Sequence, residues 1–82
     1  MKQRLCLSGL RQGQAAVVTE VTLHGEMRRR IYDLGLIPGT CVERLQTAPA
    51  GSPIAYEVRG AVIALRRCDA QKIDAEADDV WV

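Results

Sequence analysis

Side chains able to bind a transition metal are few in this 82-residue chain, and they lie far apart. There is one histidine, His24, and there are three cysteines without a C-x-x-C pair. One strand face near the C-terminus carries carboxylates at alternate positions, which are Asp74, Glu76 and Asp78. A tight site needs several nitrogen, oxygen or sulfur ligands that converge within a few ångströms, and a single histidine does not supply them. We therefore predict no dedicated metal site and no cofactor.

The chain also has few residues suited to catalysis or to nucleic-acid binding. No nucleophile motif, glycine-rich phosphate loop or paired acid and base accompanies the single histidine. The 11 basic and 10 acidic residues leave a net charge of +1, and the aromatic residues are one tryptophan and two tyrosines. Such a chain offers a nucleic acid little attraction and few surfaces for base stacking. The composition predicts neither an enzyme nor a nucleic-acid-binding protein.

The number and spacing of the cysteines indicate a cellular compartment. Cys6, Cys41 and Cys68 are odd in number and widely spaced, so they encode neither a disulfide framework nor a zinc clip, as is typical of the reduced cytosol. We interpret Cys41 and Cys68 as small buried hydrophobic residues. No apolar run approaches the roughly 20 residues that span a bilayer. We expect a cytoplasmic location without membrane insertion.

The chemistry that remains is that of a protein-binding surface. Arg29, Tyr32 and Asp33 fall on the polar face of an amphipathic helix, with Arg28 alongside, and Arg29 can pair with Asp33 at i+4. Arginine and tyrosine are enriched among the residues that dominate binding energy at interfaces. These four residues are either a solvated helix face or a patch that docks on an acidic surface of a partner, and the sequence leaves both interpretations open.

The helix that carries this surface and the helix end are encoded together. Met27, Ile31 and Leu34 recur on one face at about 100° per residue, which predicts a buried stripe. Gly35 follows where a left-handed residue is needed, and Leu36 can fold back on the helix as the apolar partner of a Schellman-type cap.

Glycine and proline also set the other chain reversals. Residues 37–40 read Ile-Pro-Gly-Thr, which fits a type II turn. We predict that five positions are conformational and carry no chemistry; they are Gly13, Gly35, Pro38, Gly39 and Gly60.

Short runs with two-residue alternation predict five strands. These runs lie at Gln14–Val21, Thr40–Leu45, Ile54–Arg59, Val62–Arg66 and Ile73–Asp78. Short helical turns are expected within Ser8–Gly13 and Arg67–Gln71. The pattern predicts an all-β fold with one short helix, in which a strongly bent sheet closes on itself as a small barrel and leaves no free edge.

The order of these signals resembles the FeoA family over approximately Leu7–Glu76. The shared pattern is Gly13, Ala16-x-Val18, Arg30-Ile31-x-x-Leu34-Gly35-Leu36-x-Pro38-Gly39-Thr40, Ala48-Pro49, Gly51, Pro53, Gly60, Ile63-Ala64-Leu65-Arg66, Ala70 and Ile73. The resemblance implies an SH3-like β-barrel. It also implies a small cytosolic protein that assists a membrane ferrous iron transporter of the FeoB type, which carries a cytosolic GTP-binding domain.

Two positions depart from the family pattern. Arg44 stands at a strand position that is usually apolar, which predicts an irregular strand or an arginine whose head group reaches the rim of the barrel. Residues 77–82 form a short C-terminal tail of a single domain spanning residues 1–82. Trp81 in this tail either frays or docks on a neighbouring copy, which would give a homo-oligomer.

Three functional hypotheses follow. The leading one is a non-enzymatic accessory of ferrous iron uptake that binds and regulates the transporter. The alternative is a stand-alone SH3-like regulatory module of a metal-dependent transcriptional repressor system, because the resemblance extends to domains of such repressors. The third is a metallochaperone with His24 as a ligand.

Overall fold

The computed structural model describes residues 2–78, and strands dominate it. In chain order the elements are β1 (Lys2–Cys6), a 3₁₀ turn (Leu7–Gly9), β2 (Ala15–Val21), α1 (Gly25–Asp33), β3 (Cys41–Thr47), β4 (Ile54–Val58), β5 (Ala61–Leu65), α2 (Arg67–Ala70) and β6 (Ile73–Asp78). The all-β class with one short helix is confirmed, since α2 has only 4 residues, as expected of a helical turn.

The strands form one antiparallel sheet in the order β1-β6-β2-β3-β4-β5. All five predicted strands are present, whereas the prediction that the sheet closes on itself is wrong, and a sixth strand, β1, was not predicted. Among the described residues β1 and β5 each pair on one side only, so the six-stranded sheet keeps two free edges. The unpredicted strand β1 adds to the outside of β6 and forms one end of the sheet, and β5 forms the other.

Strand β1 escaped prediction because it lacks a buried face. Lys2, Gln3 and Arg4 are all exposed, and only Leu5 and Cys6 are half-buried. Its register on β6 runs from Lys2 opposite Asp78 to Cys6 opposite Asp74. Strand β6 covers the predicted run Ile73–Asp78, so Ala77 and Asp78 belong to the sheet although the predicted tail begins at residue 77. Residues 79–82 with Trp81 lie outside the described residues.

Alternating small and aliphatic residues build the core, as the two-residue period predicts. In β6, Ile73, Ala75 and Ala77 are buried and Asp74 is exposed. The largest fully buried side chain is Tyr56, on β4. Burial raises its pKa to about 12, and the nearby charge of Arg44 opposes that rise.

The end of α1 is a Schellman motif. The amide of Leu36 donates to the carbonyl of Ile31 at 3.2 Å, and the amide of Gly35 donates to that of Tyr32 at 2.9 Å. Gly35 has φ of +96°, a left-handed conformation that residues with a Cβ adopt at a cost. Leu36 is fully buried, as the apolar partner in this motif should be.

A type II turn follows the helix end. The amide of Thr40 donates to the carbonyl of Ile37 at 3.0 Å, and Gly39 supplies the positive φ of +95°. This turn is tied to β2, because the amide of Gly39 donates to the carbonyl of Val18 at 2.7 Å. Gly13 and Gly60, the other predicted turn glycines, also have positive φ, at +86° and +83°.

Arg44 makes β3 irregular and anchors it to the segment after β1. The register of β3 on β4 shifts between Arg44 and Thr47, as an irregular strand predicts. The head group does not reach out to solvent. Its Nη1 donates to the carbonyls of Leu10 and Ser8, the latter at 3.2 Å, and its Nη2 donates to Thr47 Oγ1 at 2.6 Å.

Candidate partner-binding site

The helix α1 begins at Gly25, directly after His24. His24 has extended backbone and makes no side-chain capping hydrogen bond, and Glu26 lies in the first turn. A carboxylate in this position is favoured by the positive end of the helix dipole. His24 is exposed, whereas Leu23 before it is buried in the core and Met27 after it packs against the core.

Arg28 and Tyr32 form one unit on the surface of α1. Arg28 Nη2 donates to the Tyr32 hydroxyl at 3.1 Å, and the guanidinium carbon lies 5.2 Å from the centroid of the ring. Tyr32 is half-buried and packs against the core, so it is less exposed than its helical position suggested. The contact holds the Arg28 guanidinium in one place at the surface.

Arg29 and Asp33 point to solvent, as the helical period predicts. Within residues 2–78 no ion pair joins them, although they are four residues apart. Arg29 is therefore a cation without an ionic partner inside the described part of the chain. The structure brings the four predicted patch residues onto one stretch of α1, and their docking role stays a prediction.

Leu34 departs from the predicted buried stripe. Ile31 is buried and Met27 is half-buried, but Leu34 is 45% exposed. The Schellman turn explains the difference, since Leu36 folds back and occupies the place in the core that the helical period had assigned to Leu34. Leu34 is left as an apolar side chain on the surface.

A groove of about 400 Å³ lies between α1 and the end of β5. Met27, Ile31 and Leu34 line its helix side, and Ala64 and Leu65 line its strand side. Three charged residues complete the lining, namely Arg30, Arg66 and Asp69. This groove was not predicted, because it depends on how α1 crosses the sheet.

Arg66 is anchored within this groove. Its Nε donates to Asp69 Oδ2 at 3.0 Å, and this hydrogen bond and the charge of Asp69 raise the pKa of Arg66. The Asp69 side chain is 10% exposed and that of Arg66 is 67% exposed. Asp69 thus holds the guanidinium of Arg66 through Nε, and the remaining N–H groups of that guanidinium face solvent.

The outer face of β5 is an exposed apolar surface that was not predicted. Val62 is 67% exposed, and the strand sequence Ala-Val-Ile-Ala-Leu has no polar residue at any position. In an antiparallel strand with one solvated face, polar residues are expected at every second position. An unbroken apolar run at such a strand is a sequence signal for an exposed apolar surface.

The thiols are not where we placed them. Cys41 and Cys68, predicted to be buried, are both exposed, and Cys6 is half-buried with its sulfur 3.0 Å from Ser8 Oγ. Cys41 begins β3 directly before the inward-facing Val42, so its side chain takes the opposite face. Among the described residues no three histidine, cysteine, aspartate or glutamate side chains cluster as metal ligands.

The described helices are also too short or too polar to cross a membrane. The longest of them is α1, with 9 residues.

A comparison with protein families matches residues 5–77 to the FeoA domain. Over 70 residues the chain is 37% identical to an Fe(2+) transport protein A/Fe(2+) transporter FeoB fusion protein of Porphyromonas gingivalis. The match covers 85% of this chain and spans 8% of the length of that curated relative.

Solved structures agree with this match. The solution structure of FeoA from Chlorobium tepidum superposes with a TM-score of 0.85 at 37% identity, covering 89% of this chain and 70% of that chain. The zinc complex of Stenotrophomonas maltophilia FeoA, described as a prokaryotic SH3 domain protein, superposes with a TM-score of 0.75 at 31% identity. It covers 87% of this chain and 88% of that chain, so the SH3-like fold is confirmed.

Proposed function

This chain belongs to the FeoA family, and from that premise we propose that it is a non-enzymatic cytosolic accessory that binds and regulates a membrane ferrous iron transporter of the FeoB type. The family is associated with ferrous iron transport, and one relative carries the domain fused to FeoB. We infer a physical contact with the transporter that changes its activity.

The observation that carries the proposal is the fusion protein of Porphyromonas gingivalis. It joins a sequence 37% identical to this chain to a FeoB transporter in one polypeptide. A covalent link keeps two modules at a high effective concentration, which favours modules that act in contact. In the proposed complex, this domain contacts the transporter through a binding surface of its own.

The first candidate surface is the arginine patch on α1, made of Arg28, Arg29, Tyr32 and Asp33. Arg28 is held in place by Tyr32, which lowers the entropy lost on binding, and Arg29 is exposed with no ionic partner among the described residues. Two guanidinium groups beside an aromatic ring suit an acidic, hydrogen-bonding surface of the transporter.

The test is binding of the purified chain to its transporter in lipid nanodiscs, without nucleotide, with GDP and with a non-hydrolysable GTP analogue. We expect binding in at least one nucleotide state. Arg29→Glu should weaken it by about tenfold, the size expected for losing a charged contact at an interface. Arg11→Glu is the matched control, because Arg11 is an exposed arginine in the loop before β2.

Absence of binding in every nucleotide state would overturn the proposed function. Equal affinity of Arg29→Glu and the wild type would remove the arginine patch as the docking surface and leave the function standing. The effect on transport is measured as ferrous iron uptake by cells with and without the chain, and unchanged uptake would contradict a regulatory role.

The repressor-module alternative stays a prediction. No residue described above favours it over the transporter. The same binding assay separates the two, with a metal-dependent repressor in place of the transporter.

A further inference from the structure

We propose that the free edge of β5, together with the groove beside α1, binds an extended segment of a partner protein that has alternating apolar residues with carboxylates at both ends. The segment adds to the sheet as a seventh strand, next to β5. This inference rests on the proposed function only for the identity of the partner, and the chemistry of the segment is argued from the edge itself.

The edge of β5 lacks three of the features that keep strands apart, namely charged residues, prolines and bulges. Proteins protect free edges with charged residues, prolines, bulges or covering elements. Strand β5 has no charge and no proline, and its five residues pair with β4 without a register shift. On the other side of β5, the described residues supply no backbone hydrogen bond. The outward N–H and C=O groups can therefore receive another strand.

The groove beside this edge provides apolar contacts for alternate side chains of such a strand. Met27 and Leu34 form one wall and Ala64 lies on the strand side, so an added strand that pairs with β5 lies against α1. Leu34 is 45% exposed, so much of its apolar surface is still in contact with solvent. Apolar side chains of the segment that enter the groove would cover it, which supplies a hydrophobic gain in addition to the backbone hydrogen bonds.

The arginines around β5 determine which charge the added strand should carry. Exposed arginines lie at both ends of β5, since Arg59 precedes the strand and Arg66 follows it, and exposed Arg30 lines the groove. Two acidic residues lie on neighbouring elements: Asp69 is already hydrogen-bonded to Arg66, and exposed Glu57 pairs across the strands with Val62. The three arginines still outnumber them. Carboxylates at the two ends of an incoming segment would meet these guanidinium groups.

The same arginines disfavour a second copy of this chain as the occupant. Antiparallel pairing of two β5 strands about Ile63 would put Gly60 beside Arg66 and Arg59 beside Arg67 of the other copy. Like charges placed opposite each other across strands are destabilising. The edge therefore favours pairing with an acidic strand and disfavours pairing with the β5 of a second copy.

A peptide titration tests the edge without the transporter. The probe is acetyl-Asp-Asp-Val-Thr-Val-Thr-Val-Asp-Asp-amide, followed by amide NMR shifts and hydrogen exchange of the whole chain. At saturation we expect shifts in Ala61–Leu65 and around Leu34, and exchange of the outward β5 amides slowed by about tenfold or more. The matched peptides carry lysine in place of aspartate, or proline in place of threonine, and neither should bind.

A single substitution then tests the edge in the complex. Ala64→Lys places a charge beside the edge, and Ala15→Lys is the control because Ala15 is also an exposed strand alanine. We expect Ala64→Lys to lose peptide and transporter binding by about tenfold, with Ala15→Lys unchanged. Circular dichroism checks that both variants are folded.

The other outcomes of the peptide and transporter experiments overturn either the inference or the proposed function. No peptide shift at β5, equal binding of the lysine peptide, or a dimer of the wild-type chain joined through β5 in sedimentation and NMR would overturn the inference. If the wild type binds the transporter and Ala64→Lys binds it equally well, the inference fails and the proposed function stands. If the wild type fails to bind the transporter, the proposed function fails, while the peptide result still decides the chemistry of the edge.

Discussion

Within residues 2–78 the sheet has two free edges, and they differ in the charge of the side chains that they expose. The β1 edge carries Lys2, Gln3 and Arg4, all exposed, while β5 carries no charge and exposes 67% of Val62. A charged edge is hard to extend with another strand, and an uncharged one is easy to extend. The contrast indicates that the molecule protects one edge and leaves the other available, beside the groove under α1.

The largest effect should come from the residue that ties the β1 side to the body of the sheet. Arg44→Met should lower the free energy of unfolding by about 3 kcal/mol, because the part-buried carbonyls of Ser8 and Leu10 and the Thr47 hydroxyl all lose their donor. Urea denaturation measures the loss. Arg44→Lys, which keeps one donor group, should lose less. A change below about 1 kcal/mol for Arg44→Met would show that this anchor is dispensable.

A smaller effect is expected from the turn that holds α1 beside β5. Gly35→Val should cost about 2 kcal/mol, since a β-branched residue at φ of +96° is strained. A Cβ there would meet Val58 Cγ1 at 3.6 Å, an ordinary contact, so the cost is conformational and not steric. Gly35→Asn is the control and should cost less, because asparagine tolerates the left-handed region. An unchanged melting temperature for Gly35→Val would refute the Schellman turn.

The smallest expected change in the free energy of unfolding occurs only at alkaline pH. It comes from Tyr56, which lies in the core between the two edges. Its pKa is 10.0 in the unfolded chain and about 12 in the folded one, so the unfolded state loses its proton first and stability falls as pH rises above 10. At pH 11 the wild type should have lost roughly 1.4 kcal/mol more than Tyr56→Phe, relative to neutral pH. Parallel pH curves for the two proteins would contradict the buried, neutral hydroxyl.

The sequence predicted what depends on local geometry. Alternation located β2 and β6 with their buried faces, and the left-handed requirement at Gly35 located the end of α1. These features depend on residues within a few positions of one another. They can be read because strand pleat, helix period and glycine conformation act locally.

What the sequence did not predict depends on distant partners. Strand β1 lacks a buried face and is recognisable only once β6 is beside it. The carbonyls that bind Arg44 are 34 and 36 residues away, and the groove needs α1 and β5 brought together. The exposure of Cys41 and Leu34 likewise follows from which neighbour takes the core position.

Hydrogen exchange of the chain bound to its transporter tests the contrast between the edges most directly. Mass spectrometry of peptides from the free and bound chain reports both edges in one experiment. Slower exchange in Ala61–Leu65 and the adjoining part of α1, with Lys2–Cys6 unchanged, is the predicted result. Protection of Lys2–Cys6 with Ala61–Leu65 unchanged would contradict the account.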